Sequence, residues 1–155
     1  MNFNEGPYFT NGILPPPEGT VINNYRIDVE LVKPTYCSFI YLGSDTKNNE
    51  KKVIKLVKLM KKRVSRVSDE IETMSLASHP NILKMDDCFR FGPFACIITP
   101  YTPYQSLHHL LLSSYPHGVP EEIACVIFRQ MLQAVSYLHG INIWHRDIKP
   151  ENFLV

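Results

Sequence analysis

The sequence predicts an α+β chain: a five-stranded antiparallel sheet carrying one helix, followed by a wholly helical region. Three observations carry this. From Tyr25 to Leu31 apolar residues recur at every second position, the period of a strand buried on one face, and short apolar runs bounded by turn residues follow it. That period gives way to i, i+4, i+7 between Val64 and Ala77, as in an amphipathic helix. Beyond Thr99 the texture is helical to the end. The chain of 155 residues is 45% hydrophobic and 20% charged, close to the globular average, which argues against wholesale disorder.

Residues 1–24 carry few charges, an Asn-Gly at 11–12 and a proline triplet at 15–17, and read as a flexible extension. Structure is expected from Tyr25, where Tyr25, Ile27, Val29 and Leu31 alternate with Arg26, Asp28 and Glu30. Cys37–Gly43 and Lys51–Leu59 supply the next two strands, joined by turn-forming Asp45–Asn49. The helix over 64–77 has Val67, Ile71 and Met74 on one face and stops at His79-Pro80-Asn81. Leu83–Phe89 and Phe94–Thr99 complete the sheet. Ser106 is positioned to cap a short helix through Leu112. A longer helix over 120–138 opens with Pro120 at its first position and Glu121 and Glu122 at the positive dipole end, with Gly140 placed to terminate it. Its apolar residues spread beyond a single stripe, so it expects partners on several sides.

Composition excludes several function classes. Net charge is +1, which argues against a nucleic-acid or membrane-surface binder working by bulk electrostatics. Eight of the sixteen basic residues nevertheless lie between Lys51 and Arg66, most simply a solvated approach to the helix. The longest stretch without a charged residue, Phe91 to Pro120, is broken by four prolines and is no membrane span. No secretory signal is visible, and the four cysteines have no C-x-x-C pairing, so they read as reduced and mostly buried thiols. The expected setting is intracellular, cytoplasmic or nuclear. His108, His109 and His117 lack metal-ligand context.

The chemistry concentrates in His145-Arg146-Asp147-Ile148-Lys149-Pro150-Glu151-Asn152. A carboxylate at Asp147 can accept or orient a hydroxyl proton. A cation at Lys149 can neutralise developing negative charge, and an amide oxygen at Asn152 suits a hard cation such as Mg²⁺. This octet resembles the catalytic loop of eukaryotic protein kinases, and the Lys two residues after the Asp resembles the serine/threonine type. The resemblance covers Tyr25–Val155 in the order of its elements. It implies a protein-kinase-like fold with an N-lobe over about 25–99, a hinge over 100–105 and the start of a helical C-lobe over 106–155.

Further parts follow from the resemblance. Lys52-Val53-Ile54-Lys55 is similar to the V-A-I-K strand, which implies Lys55 on the α- and β-phosphates of ATP and Val53 over adenine. Glu70 is its implied helix partner, with Glu72 as the rival. Thr99-Pro100-Tyr101-Thr102 resembles the hinge: Thr99 as gatekeeper, with adenine read by the backbone C=O of Pro100 and N–H of Thr102. Proline lacks only the N–H, which is not needed there. Leu154 would lie under adenine, His145 would pack beneath the site and Arg146 would bind an activation-segment phosphate. ATP and Mg²⁺ are the implied cofactors and a protein serine or threonine hydroxyl the implied acceptor.

Two departures qualify the resemblance. The segment between the first two strands should be glycine-rich, yet one register puts Lys33, Thr35 and Ser38 at the glycine positions with Ile40 as the following valine, and the other puts Val32, Pro34 and Cys37 there. Without glycine, backbone N–H groups approach phosphates less freely. The expectation is an altered lid and weaker nucleotide binding, replaced in part by the Thr35 or Ser38 hydroxyls; a divergent but working lid is the alternative. Second, a D-F-G motif is expected little more than a dozen residues past Asn152, beyond Val155. The reading is therefore of a partial kinase domain, inactive alone, whose exposed face on the 120–138 helix awaits the remaining C-lobe or a partner. A non-catalytic, pseudokinase-like scaffold or nucleotide-binding module is the alternative function.

Overall fold

The computed structural model describes residues 3, 7–8, 10, 13–103 and 106–155. Parts of the extension expected over 1–24 and of the hinge expected over 100–105 thus lie outside the described residues. The chain divides into a unit ending at Leu76 and resuming over Lys84–Tyr101, and a second comprising Ala77–Leu83 and Thr102–Val155.

The first unit is a sheet built from β1 (Val21–Ile22), β2 (Tyr25–Val32), β3 (Ser38–Asp45), β4 (Lys51–Lys58), β5 (Asp87–Phe91) and β6 (Phe94–Pro100), with α1 (Val64–Leu76) between β4 and β5. Its strand order is β1-β2-β3-β4-β6-β5, and every pairing is antiparallel. There are six strands rather than five, because the chain folds back before Tyr25. Asn23 takes a left-handed φ of 52°, which asparagine tolerates, and the reversal pairs Ile22 with Tyr25. Phe3 is also buried, and Arg90 holds the segment by donating to the carbonyls of Phe3 and Pro7.

The period-2 pattern sorts side chains onto two faces. Ile54 and Leu56 join Phe39, Tyr41, Cys96 and Ile98 in one core. Val57 and Leu59 join Ala95, Ile97 and the α1 residues Val64, Val67 and Ile71 in the other. One close approach is invisible to such patterning: a methyl group on Gly43 would overlap the Ile54 side chain and the carbonyl of Arg26. Glycine here lets β2 and β3 sit flush over Ile54.

The fifth strand begins at Asp87 rather than Leu83. Residues 78–81 are drawn into the second unit instead: Tyr137 Oη accepts from the Ser78 N–H, and Asn81 Nδ2 donates to Gln130 O and Gln133 Oε1. Leu83 stays exposed, so its apolar neighbourhood mimics a strand without making one.

The second unit contains α2 (Leu107–Ser114), α3 (Glu121–Gly140) and a single 3₁₀ turn at Pro150–Asn152. Ser106 caps α2, its hydroxyl accepting from His109 N at 3.2 Å. Pro120 is the cap of α3 rather than its first helical residue, and Gly140 is the last helical residue rather than the terminator. The left-handed turn falls at Asn142, φ 59°, the other residue commonly used there. No helix among the described residues is long and apolar enough to cross a membrane. All four cysteines are free, but only Cys96 is fully buried and Cys125 is exposed, fewer buried thiols than expected. Burial pushes the Cys96 thiol up to about 12 and that of Cys88 to about 11.

Candidate active site

In the sheet unit, strand parity gathers the sequence-predicted residues. Ile40 lies opposite Lys55, and Val53 lies opposite Thr99. Directly paired residues point to the same face, so all four share the face that α1 covers. Thr99 is buried and the other three are half-buried. From α1, Glu70 reaches Lys55, with Oε1 3.2 Å from Nζ. Of the two candidate glutamates it is therefore Glu70 that meets the lysine. At 38% and 51% side-chain exposure, the pair contributes only about 0–1 kcal/mol to stability, and its structural consequence is to orient the lysine.

The loop joining β2 to β3 is closed on itself. Thr35 N–H donates to Ser38 O at 3.0 Å. In return Thr35 Oγ1 accepts from the N–H of Cys37 at 3.3 Å and of Ser38 at 3.0 Å. The Thr35 and Ser38 hydroxyls are 3.0 Å apart. Both hydroxyls thus engage the loop itself. Lys33 is exposed in the same loop.

Two tethers here had no signal in the apolar periodicity. Cys37 O accepts from Lys58 N at 2.8 Å, and Arg63 Nη1 lies 2.9 Å from Cys37 Sγ. Arg63 belongs to the basic run, and only the fold brings it to the loop. Lys52 is a second such case: it is buried and bonds Asp86 at 2.8 Å and Glu50 at 3.0 Å. The Asp86 hydrogen bond holds its ammonium above the ordinary lysine value.

In the helical unit, Asp147, Lys149 and Asn152 form one cluster. Lys149 Nζ lies 2.9 Å from Asp147 Oδ2. Asn152 Nδ2 donates to Asp147 O at 2.7 Å and Oδ2 at 2.9 Å. Two features of the local backbone permit this. Arg146 takes a left-handed φ of 61°, which turns the chain sharply before Asp147, and the 3₁₀ turn carries Asn152 back towards it. His145 Nδ1 accepts from Asp147 N at 3.3 Å. Hydrogen bonds from Lys149 first and Asn152 second hold the Asp147 carboxyl below its ordinary value, and the same contact raises Lys149. At neutral pH the cluster is therefore a carboxylate beside an ammonium.

Leu154 bridges to Ser106, and Phe153 O accepts from Leu107 N at 2.7 Å, so the loop end is strapped to the start of α2. Leu154 is 48% exposed. Pro100 is the last residue of β6, paired with Lys52, and Thr102 is half-buried just beyond it. Among the described residues no three His, Cys, Asp or Glu side chains converge to hold a metal. Mg²⁺ needs fewer protein ligands, being held by one or two oxygen groups plus substrate phosphates. The hard oxygens of Asn152 and Asp147 suit that ion in kind. The contacts turn Nδ2 of Asn152, and not Oδ1, towards the carboxylate.

Residues 36–155 match the protein kinase domain family. The chain is 34% identical over 122 residues to the STE20-related kinase adapter protein strd-1 of Caenorhabditis elegans, covering 75% of this chain and 30% of that protein. It is 32% identical over 120 residues to CBL-interacting serine/threonine-protein kinase 21 of Arabidopsis thaliana, covering 75% and 28%. In fold it resembles the kinase domain of Mycobacterium tuberculosis PknI, with a TM-score of 0.77 at 19% identity, over 90% of this chain and 58% of that one. The chain thus spans about a third or less of the length of these two sequence relatives.

Proposed function

The chain belongs to the protein kinase family, and from that membership we propose that it serves ATP-dependent transfer of a γ-phosphoryl group to a serine or threonine hydroxyl of a protein. The observation that carries the reading is the Asp147–Lys149–Asn152 cluster. Its carboxylate is held ionised by its neighbours, which favours orienting the incoming hydroxyl over taking up its proton before transfer begins. Lys149, charged and adjacent, would offset charge on the transferred oxygens. Asn152, with Asp147 beside it, would hold Mg²⁺, which supplies charge neutralisation at the phosphates when bound. Lys55, oriented by Glu70, would meet the α- and β-phosphates. Val53 and Ile40 would face adenine, as would Leu154, with Thr99 as gatekeeper and Pro100 and Thr102 as its backbone partners. The relatives named as serine/threonine kinases support the acceptor class.

The test is phosphoryl transfer from labelled ATP to a mixed serine/threonine substrate by the full-length protein and its Asp147→Asn variant. Loss of the orienting carboxylate is expected to lower turnover by about 10²–10⁴-fold, with the variant still folded by circular dichroism. Equal turnover by the two proteins would sink the assignment.

A second reading is favoured by one specific observation. The β2–β3 loop has no glycine and uses its own amides internally, and one relative is named a kinase adapter protein. We infer from these that a non-catalytic nucleotide-binding scaffold is the competing function. ATP binding without turnover in the same assay favours it.

A further inference from the structure

In a phosphate-binding loop the backbone N–H groups are the working parts, and they act only when no other acceptor holds them. The loop over 33–38 turns three of them on itself. Pro34 has no N–H to offer. The Thr35 amide is bound to Ser38 O, and the Cys37 and Ser38 amides converge on the single oxygen Oγ1 of Thr35. That convergence reproduces what a phosphate oxygen does in such a loop: one acceptor receiving adjacent backbone donors. The loop is also anchored from outside, by Lys58 N on Cys37 O and by Arg63 on Cys37 Sγ. Opening it towards a ligand therefore requires breaking contacts to β4 and to the residue before α1, as well as the Thr35 turn.

Resting on the nucleotide-site reading above, we propose that Thr35 is a specificity-determining residue whose hydroxyl stands in for a phosphate oxygen, so that the site takes the nucleoside end of its ligand and discriminates against the polyphosphate end. An acceptor oxygen already on the Cys37 and Ser38 amides withholds both from a phosphate and adds lone-pair repulsion to it. Lys55, oriented by Glu70, then carries a larger share of the attraction for the phosphates than it would beside a donor-lined loop. The ligand class is adenosine-like, with the triphosphate adding less affinity than a donor-lined loop would add.

Three proteins decide this: the full chain, Thr35→Val, which keeps the side-chain shape without the hydroxyl, and Thr35→Ser, which keeps the hydroxyl. Amide hydrogen exchange of Cys37 and Ser38 is read by NMR, and ATP and adenosine affinities by calorimetry. The expected result is protected amides in the full chain and in Thr35→Ser, and fast exchange in Thr35→Val. The ATP-over-adenosine affinity ratio is expected to rise by about tenfold in Thr35→Val alone, the value of one freed charge-assisted hydrogen bond, with adenosine affinity unchanged. A ratio that falls in Thr35→Val would mean that the hydroxyl serves the phosphates, and would overturn the proposal. Unprotected amides in the full chain would overturn it whatever binds. Protected amides with no adenosine binding by any of the three would instead refute the nucleotide reading, and the selectivity with it.

Discussion

The sheet unit and the helical unit treat similar apolar content in opposite ways. In the sheet, β6 buries every residue from Phe94 to Thr99, and two distinct cores form on its faces. In the helical unit, α3 has 20 residues and fully buries only Ala134 and Leu138. Ile123, Val126, Phe128 and Leu132 are all exposed. A sheet can bury alternate residues of several strands against one another, whereas a long helix buries only the stripe that another element covers. Amphipathic breadth on α3 therefore records how many neighbours its sequence is written for, and its exposure records how many of these the described residues provide.

The largest expected effect tests that contrast directly. Leu56, fully buried in the sheet, is expected to cost about 2–5 kcal/mol when changed to Ala. Phe128→Ala, at a ring 59% exposed in α3, is expected to cost less than about 1 kcal/mol. Denaturant unfolding of both variants measures this, and comparable losses would mean that the exposed face of α3 is covered in solution. A smaller effect tests how the helical unit holds residues 78–81. Tyr137→Phe removes the acceptor of the Ser78 amide and is expected to cost about 1 kcal/mol, with faster exchange at that amide alone. The smallest concerns pH. Asp147 has a folded-state value below its ordinary 3.8, so the stabilisation from its contacts is full above that value and is lost only as pH falls through the lower folded one. The side-chain amide signals of Asn152 should therefore hold steady from neutral pH down to about pH 4 and move only below it. Movement near pH 5 would contradict the cluster.

Most of the sheet was legible because alternation and burial are the same fact seen twice. The strand from Tyr25 sits where period 2 puts it, and those from Lys51 and Phe94 sit where short apolar runs put them. The failures have local causes. Leu83 looked like a strand residue because apolar character is ambiguous over short runs, and the competing bonds of Ser78 and Asn81 are made to residues some fifty positions away. Gly140 looked like a terminator, but the left-handed residue proved to be Asn142. In the candidate site, the Asp147–Asn152 spacing was readable because a short loop closes over few residues. Glu70 over Glu72 was what the resemblance implied, and Glu70 Oε1 lies 3.2 Å from Lys55 Nζ. That the Thr35 and Ser38 hydroxyls lie 3.0 Å apart and that Thr35 Oγ1 accepts from the Ser38 amide had no signal in the sequence.

By itself the sequence determined the α+β order of elements and the residue types of the octet over 145–152, because these depend on local period and short spacing, and the family entered through the resemblance of that octet. Only the tertiary structure decided which donors are already taken. Whether the amides of Cys37 and Ser38 face a ligand or Thr35, and whether Arg63 is a solvated cation or a tether to Cys37, depends on turn geometry and on strands brought together from afar. Hydrogen bonds are short-ranged and directional, so a sequence can supply every partner without stating which pairs form.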